Sequence, residues 1–153
     1  MEIPVINFDS KATCTHRRRV AMFPDILRCG IFGPSGCGKS NLLLTMLMYI
    51  RKYPAVYICA RTVYQEKYQL LSQLINSHNW RKKCKGKIKF ITITPNTLPE
   101  PEQIEEDAVI IFDDVLTENQ SKIANFFLRG RHRRISCIYL SQSYTKIPKK
   151  TGI

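Results

Sequence analysis

One stretch of eight residues, GPSGCGKS at 33–40, has the residue types and the spacing that hold a nucleotide phosphate. It fits the pattern G-x-x-x-x-G-K-[ST], whose glycines let the backbone curl so that several N–H groups point at phosphate oxygens. The lysine reaches the β- and γ-phosphates, and the hydroxyl after it binds Mg²⁺. The residues expected to hold ATP are Gly33, Pro34, Ser35, Gly36, Cys37, Gly38, Lys39 and Ser40, with Ser40 also a metal ligand.

Two acidic residues end the apolar run AVIIFDD at 108–114. A buried strand next to the phosphate-loop strand is expected to deliver Asp113 to the Mg²⁺ shell through a bound water. Asp114 would then face the attacking water as a general base. A second apolar run, IYLSQSY at 138–144, ends in Gln142, which is placed to hydrogen-bond the γ-phosphate or the attacking water.

A basic block, LRGRHRR at 128–134, precedes that second run and contains four arginines and a histidine. Three interpretations stay open on physical grounds alone. The block is a solvated turn, or it grips DNA phosphates, or one arginine acts as a finger on the γ-phosphate of a neighbouring subunit. Arg131 is taken as the finger candidate, a choice over Arg133 and Arg134 that the sequence does not decide.

Strand-like and helix-like segments alternate along the chain. Strands are predicted at 26–32, 55–60, 88–93, 108–114 and 135–142, and helices at 39–53, 65–77 and 118–130. This alternation predicts an α/β domain with a mainly parallel central sheet that helices cover on both faces. The proline-rich segment 94–108 holds five of the twelve acidic residues and is predicted to be a plain acidic connector.

Composition limits the class of protein further. The 153 residues suit one domain, 44% of them are hydrophobic, and 24 basic residues against 12 acidic ones give a net charge of +12. Such a chain attracts polyanions. No apolar run approaches the ~20 residues of a membrane span, and no signal-peptide pattern begins the chain, so cytosol or nucleus is expected. The six cysteines form no C-x-x-C pair and are expected to be reduced.

Taken together and in this order, the phosphate loop, IIFDD, FFLRGRHRRIS and IYLSQSYTKIPK resemble one family. They are similar to the genome-packaging ATPases of the FtsK–HerA superfamily, found in large double-stranded DNA viruses and in Maverick/Polinton-type elements. The resemblance spans about Ile26 to Lys149 and rests most on the arginine block followed by a strand and SQSY.

The resemblance implies a RecA-like P-loop ATPase core that forms a homo-oligomeric ring, a hexamer or pentamer, and drives duplex DNA into a viral capsid. It implies work at viral assembly sites in the host cytoplasm or nucleus, or in the virion, and no membrane partner. Its residue roles would fall on Lys39 and Ser40 for phosphate and Mg²⁺, Asp113 for Mg²⁺, Asp114 for water activation and Gln142 for sensing, with the finger in the arginine block.

Two departures from the family pattern bear on activity. Many members end the acidic strand in Asp-Glu, whereas this chain has Asp113-Asp114, so the shorter side chain needs an extra water to reach the nucleophile. Relatives also continue through at least another strand and helix beyond this point. We therefore expect a 1–25 N-terminal extension and a compact or truncated ATPase domain at 26–153.

Two other function classes compete with the motor ATPase. The loop is also similar to that of guanylate-kinase-like enzymes, and a non-hydrolysing, nucleotide-dependent DNA clamp would use the same phosphate site. The basic run RKKCKGKIK at 81–89 favours a DNA partner, because it is poor in aromatic residues for base stacking and suits duplex backbone contacts. The DNA-contact candidates are Lys82, Lys83, Lys85, Lys149 and Lys150.

Overall fold

The computed structural model of the protein describes residues 23–49, 53–76 and 88–144. Its strands and helices, in chain order, are β1 (Arg28–Phe32), α1 (Lys39–Tyr49), β2 (Ala55–Ala60), α2 (Glu66–Ile75), β3 (Lys89–Ile93), β4 (Val109–Asp113), α3 (Gln120–Arg129) and β5 (Ser136–Ser141). Each strand and helix predicted from the sequence is present. The division into a 1–25 extension and a 26–153 domain stays a prediction, because residues 1–22 and 145–153 lie outside the described ranges.

The five strands form one parallel sheet in the order β1-β5-β4-β2-β3. This arrangement confirms the predicted α/β class and is consistent with a RecA-like core. One expectation was wrong: β4, which ends in Asp113, does not lie next to the phosphate-loop strand. β5 lies between them and is therefore buried along its whole length, whereas β1 occupies an edge of the described sheet and buries only Ile31.

Alternate side chains of the strands feed two apolar clusters, one on each face of the sheet. On one face α1 and α2 pack through Leu43, Leu47 and Leu71 against strand residues such as Ile58. On the other face α3 packs through Ile123, Phe126 and Phe127 against Phe112 and Tyr139. The prediction that both faces are covered is therefore confirmed.

The acidic segment 94–108 is more than a solvated connector. It forms two short 3₁₀ turns, Pro95–Thr97 and Pro101–Gln103, and buries Leu98, Pro101 and Ile104 against the α3 face. Its acids stay at the surface, where several of them form ion pairs with basic residues. Among the described residues, no helix is long and apolar enough to cross a membrane.

Candidate nucleotide-binding site

A polar cavity of roughly 820 Å³ opens where β1, β2, β4 and β5 end. We call this side of the sheet the carboxyl edge. Because parallel strands all end on the same side, their following residues converge there. From the residues predicted for the site, the cavity wall contains Ser35, Gly36, Gly38, Lys39, Ser40, Asp113, Asp114 and Gln142.

Three positions of the phosphate loop, Gly33, Gly36 and Gly38, disfavour any residue that has a Cβ atom, and Gly36 has φ +76°. Gly38 has φ +91°, a region that residues with a Cβ rarely enter. A Cβ on Gly33 would lie 2.5 Å from Sγ of Cys37, closer than any real contact. The Gly33 N–H donates to the carbonyl of Ser141 at 3.2 Å, which fixes the start of the loop against the end of β5.

Lys39 begins α1 and lies across its own loop. Its Nζ donates to the carbonyl oxygens of Gly33 at 2.6 Å and Pro34 at 2.8 Å. The backbone N–H of Leu42 donates to the carbonyl of Gly38, so the helical ladder starts at the last glycine of the loop. The positive end of α1 therefore points at the same place as the lysine ammonium group, an arrangement that suits a bound anion.

Asp113 is the last residue of β4 and is buried, and two donors share one of its carboxylate oxygens. Lys67 Nζ lies 2.6 Å and Tyr68 Oη lies 2.7 Å from Asp113 Oδ2. Burial raises the pKa of the Tyr68 hydroxyl, and the nearby Asp113 carboxylate raises it further. Tyr68 therefore keeps its proton and remains a hydrogen-bond donor to Asp113.

Asp114 and Gln142 are exposed to the cavity at the ends of neighbouring strands. Asp114 has φ +54°, a left-handed conformation that turns the chain sharply after β4. Its N–H donates to the carbonyl of Leu140 at 3.2 Å, which ties this turn to β5. Both side chains are thus free to meet a ligand, while their backbones are fixed by the sheet.

A comparison with protein families matches residues 15–152, nearly the whole chain, to the family of the poxvirus A32 protein. The chain belongs to the poxvirus A32 family. This is a family of viral genome-packaging ATPases, so the predicted resemblance to packaging ATPases is confirmed at that level. A search of curated proteins finds no match to this chain.

Sequence reasoning missed one wall of the cavity in this A32-family chain. That wall is the segment after β2, and it contributes Arg61, Thr62, Gln65, Lys67 and Tyr68. The sequence could have predicted this wall, because these residues follow a strand that ends at Ala60 and a parallel strand must end at the carboxyl edge. Arg61 forms an ion pair with Glu118 at 3.1 Å, so the cation that faces Asp113 from this wall is Lys67.

The arginine block lies at the opposite side of the sheet, which we call the amino edge, where β5 begins. Three of its four arginines are paired with the acidic segment: Arg129 with Glu102, Arg133 with Glu106, and Arg134 with Asp107 at 2.8 Å. Arg131 is exposed and forms no ion pair with the described residues. The predicted finger therefore does not lie at the cavity of its own subunit.

The oxygen donors of the cavity fit a magnesium ion. Ser40 contributes a hydroxyl, and Asp113 and Asp114 contribute carboxylates, the ligand types that Mg²⁺ prefers. Among the described residues no cluster of three or more His, Cys, Asp or Glu is present. Mg²⁺ needs no such cluster, because it keeps several waters and shares the substrate's phosphates.

The basic residues predicted to contact DNA lie outside the described part of the chain. They are Lys82, Lys83, Lys85, Lys149 and Lys150. Their role as phosphate contacts stays a prediction.

Proposed function

We propose that this A32-family protein is a Mg²⁺-dependent ATPase of the FtsK–HerA superfamily that moves double-stranded DNA into a viral capsid. The supporting observation is the convergence of Lys39, Ser40, Asp113, Asp114 and Gln142 on one polar cavity at the carboxyl edge. These side chains come from three separate segments of the sequence. Their meeting supplies a phosphate cradle, a metal site and a group that activates water.

In the proposed reaction Lys39 leaves the carbonyls of Gly33 and Pro34 and contacts the β- and γ-phosphates. Asp114 accepts a proton from a water molecule while the oxygen of that water bonds to the γ-phosphorus. The bond between the γ-phosphorus and the oxygen that links it to the β-phosphate breaks. ADP and inorganic phosphate leave. A bound Mg²⁺, held through Ser40 and Asp113, would neutralise charge on the phosphate oxygens. Gln142 hydrogen-bonds the γ-phosphate and so distinguishes ATP from ADP.

A finger role for the arginine block requires a ring rather than a monomer. A finger must touch the γ-phosphate, and Arg131 precedes β5 while its own cavity lies beyond the end of that strand. Arg131 is therefore proposed to act on the cavity of a neighbouring subunit, in a pentamer or hexamer. Its three neighbouring arginines in the block each form an ion pair with the acidic segment, whereas Arg131 forms none with the described residues and is therefore the finger candidate.

Product analysis separates the motor from the two alternatives. A motor releases phosphate from ATP without a second nucleotide, and duplex DNA stimulates the release. A guanylate-kinase-like enzyme needs a nucleoside monophosphate acceptor, and a clamp binds ATP without turnover. The particle mass should rise on addition of ATP and duplex DNA. An unchanged mass together with acceptor-dependent turnover would overturn the motor proposal.

The DNA contact is tested by salt dependence. Neutralising Lys82, Lys83 and Lys85 together is expected to lower the log–log salt slope of duplex binding by roughly two to three units. Lys122→Gln, an exposed lysine on α3, is the matched control and should leave the slope unchanged. An unchanged slope in the triple variant would rule out this run as the contact and leave the arginine block to be tested.

A further inference from the structure

The Lys67–Asp113 ion pair lies where the proposed metal site must form. Lys67 Nζ is 2.6 Å from Asp113 Oδ2, and both residues line the cavity that also contains Lys39 and Ser40. A lysine ammonium group and a Mg²⁺ ion beside the same carboxylate repel each other, because the Coulomb energy of two like charges at such distances is large. A Mg²⁺ ion whose shell includes Asp113 therefore competes with the Lys67 ammonium group.

We propose that Lys67 is an exchangeable counter-ion, which holds Asp113 before nucleotide binds and moves to the terminal phosphate of ATP when Mg²⁺ arrives. The proposal rests on the proposed ATPase function. When Mg²⁺ displaces Lys67, the ammonium group needs another anion, and the triphosphate enters the same cavity in the same event. The first turn of α2 would then respond to the presence of the γ-phosphate.

The surroundings of Lys67 suit such an exchange. Its side chain is 39% exposed, so its head can turn within the open cavity without leaving a buried void. Its Nζ also lies 4.9 Å from the centre of the Tyr68 ring, and the electron-rich face of that ring attracts the ammonium charge. Tyr68 is buried and still donates to Asp113 at 2.7 Å, so the carboxylate keeps a donor after Lys67 leaves.

The exchange is tested by nucleotide binding rather than by turnover. Binding of a non-hydrolysable ATP analogue and of ADP to the full chain is measured by calorimetry over a series of Mg²⁺ concentrations. In Lys67→Met the half-saturating Mg²⁺ concentration should fall roughly fivefold, because the competing cation is gone. The preference for the ATP analogue over ADP should fall roughly tenfold, since a charged contact to the γ-phosphate is lost.

Matched variants separate exchange from a structural role. Lys67→Arg should keep the ATP preference, and Lys122→Met should change neither quantity. Lys67→Gln serves as a second neutral variant, and thermal unfolding checks that each protein is folded. An unchanged preference for ATP over ADP in both neutral variants, or a rise in the Mg²⁺ they need, overturns the exchange. Absence of Mg²⁺-dependent ATP binding by the wild type would instead overturn the proposed function.

Discussion

The two edges of the sheet differ in how many of their charged side chains are already paired within the fold. At the carboxyl edge, Lys39 contacts neutral carbonyls of its own loop, and Asp114 and Gln142 are exposed to an open cavity. At the amino edge, arginines form ion pairs with acidic residues and hydrogen bonds with backbone carbonyls of other segments. At the carboxyl edge Lys67 is paired with Asp113 and Arg61 with Glu118, but the charges of Lys39 and Asp114 remain available to a ligand. At the amino edge most arginines are already paired within the fold.

This difference shows why the density of basic residues does not locate the candidate nucleotide-binding site. The arginine block is the most basic stretch of the described chain, yet three of its arginines are held by the segment 94–108. Arg28 adds a fourth at the same edge, where its guanidinium donates to the carbonyls of Phe127 and Ile135. Arg131 is the exception, because it is exposed and forms no ion pair with the described residues. The comparison between the two edges therefore depends most on what Arg131 does.

The largest expected effect comes from Arg131→Ala. A trans finger contributes about 10³ to 10⁵ in turnover, so the variant should lose at least about 10³ without loss of stability. Mixing it with Lys39→Ala subunits should restore some phosphate release at shared interfaces, while each variant alone is inactive. Arg134→Ala is the control, since that arginine is paired with Asp107. If no mixing ratio of the two variants restores phosphate release, a trans finger at Arg131 is ruled against.

At the carboxyl edge, Asp114→Asn should lower turnover by about 10² to 10⁴ and leave ATP binding nearly intact, because only the group proposed to activate water is lost. Lys39→Ala should instead weaken binding as well as turnover, because the loop loses its cation. Phosphate release and nucleotide binding are measured on both variants, with Lys122→Ala as control. Full turnover by the Asp114 variant would move the water-activating role to another residue.

At the amino edge, Arg28→Met should unfold more easily while its nucleotide affinity is unchanged. The guanidinium donates to Phe127 O at 3.0 Å and to Ile135 O at 2.8 Å, which ties β1 to the last turn of α3 and to the residue before β5. Loss of these bonds should lower the free energy of unfolding by about 2 kcal/mol. Urea unfolding checks this, with Lys122→Met as the exposed control. A stable variant with weakened ATP binding would contradict the division between the edges.

The smallest expected effect concerns two thiols, one at each edge. Cys37 lies exposed in the phosphate loop, whereas Cys137 is fully buried beside Arg28 and Phe126. Burial raises the pKa of Cys137 from 9.0 to about 12, partly offset by the Arg28 charge. Iodoacetamide should therefore modify Cys37 in the folded protein and spare Cys137, as peptide mass spectrometry would show.

The same shift in the pKa of Cys137 predicts a loss of stability at high pH. Between pH 9 and about 12 the folded thiol keeps its proton, while the unfolded chain releases it. Unfolding is favoured by about 1.4 kcal/mol per pH unit in that range. The free energy of unfolding is measured with urea at pH 8 and at pH 10. It should fall less between these two pH values in Cys137→Ala than in the wild type. Equal differences in the two proteins would remove Cys137 as the cause.

Local pattern was enough to predict most of the fold and half of the cavity. The phosphate loop, the strand that ends in Asp113 and the strand before Gln142 are all short-range signals, because each depends on residues adjacent in the chain. Parallel strands must then bring their carboxyl ends together, so the convergence of Lys39, Asp113 and Gln142 followed from the alternation of strands and helices.

Only the tertiary structure decided which residues became partners. Nothing in the spacing of Lys67 and Asp113 indicates that they form an ion pair across 46 positions, nor that the acidic segment holds three arginines of the block. The order of the strands was also beyond the local pattern, because β4 and β5 are both apolar and fully buried and only the assembled sheet shows that β5 lies between β1 and β4. The sequence by itself determined the chemistry available to this protein. Packing determined which charges the fold uses and which remain for a ligand, because side-chain pairing depends on distances that only the assembled sheet defines.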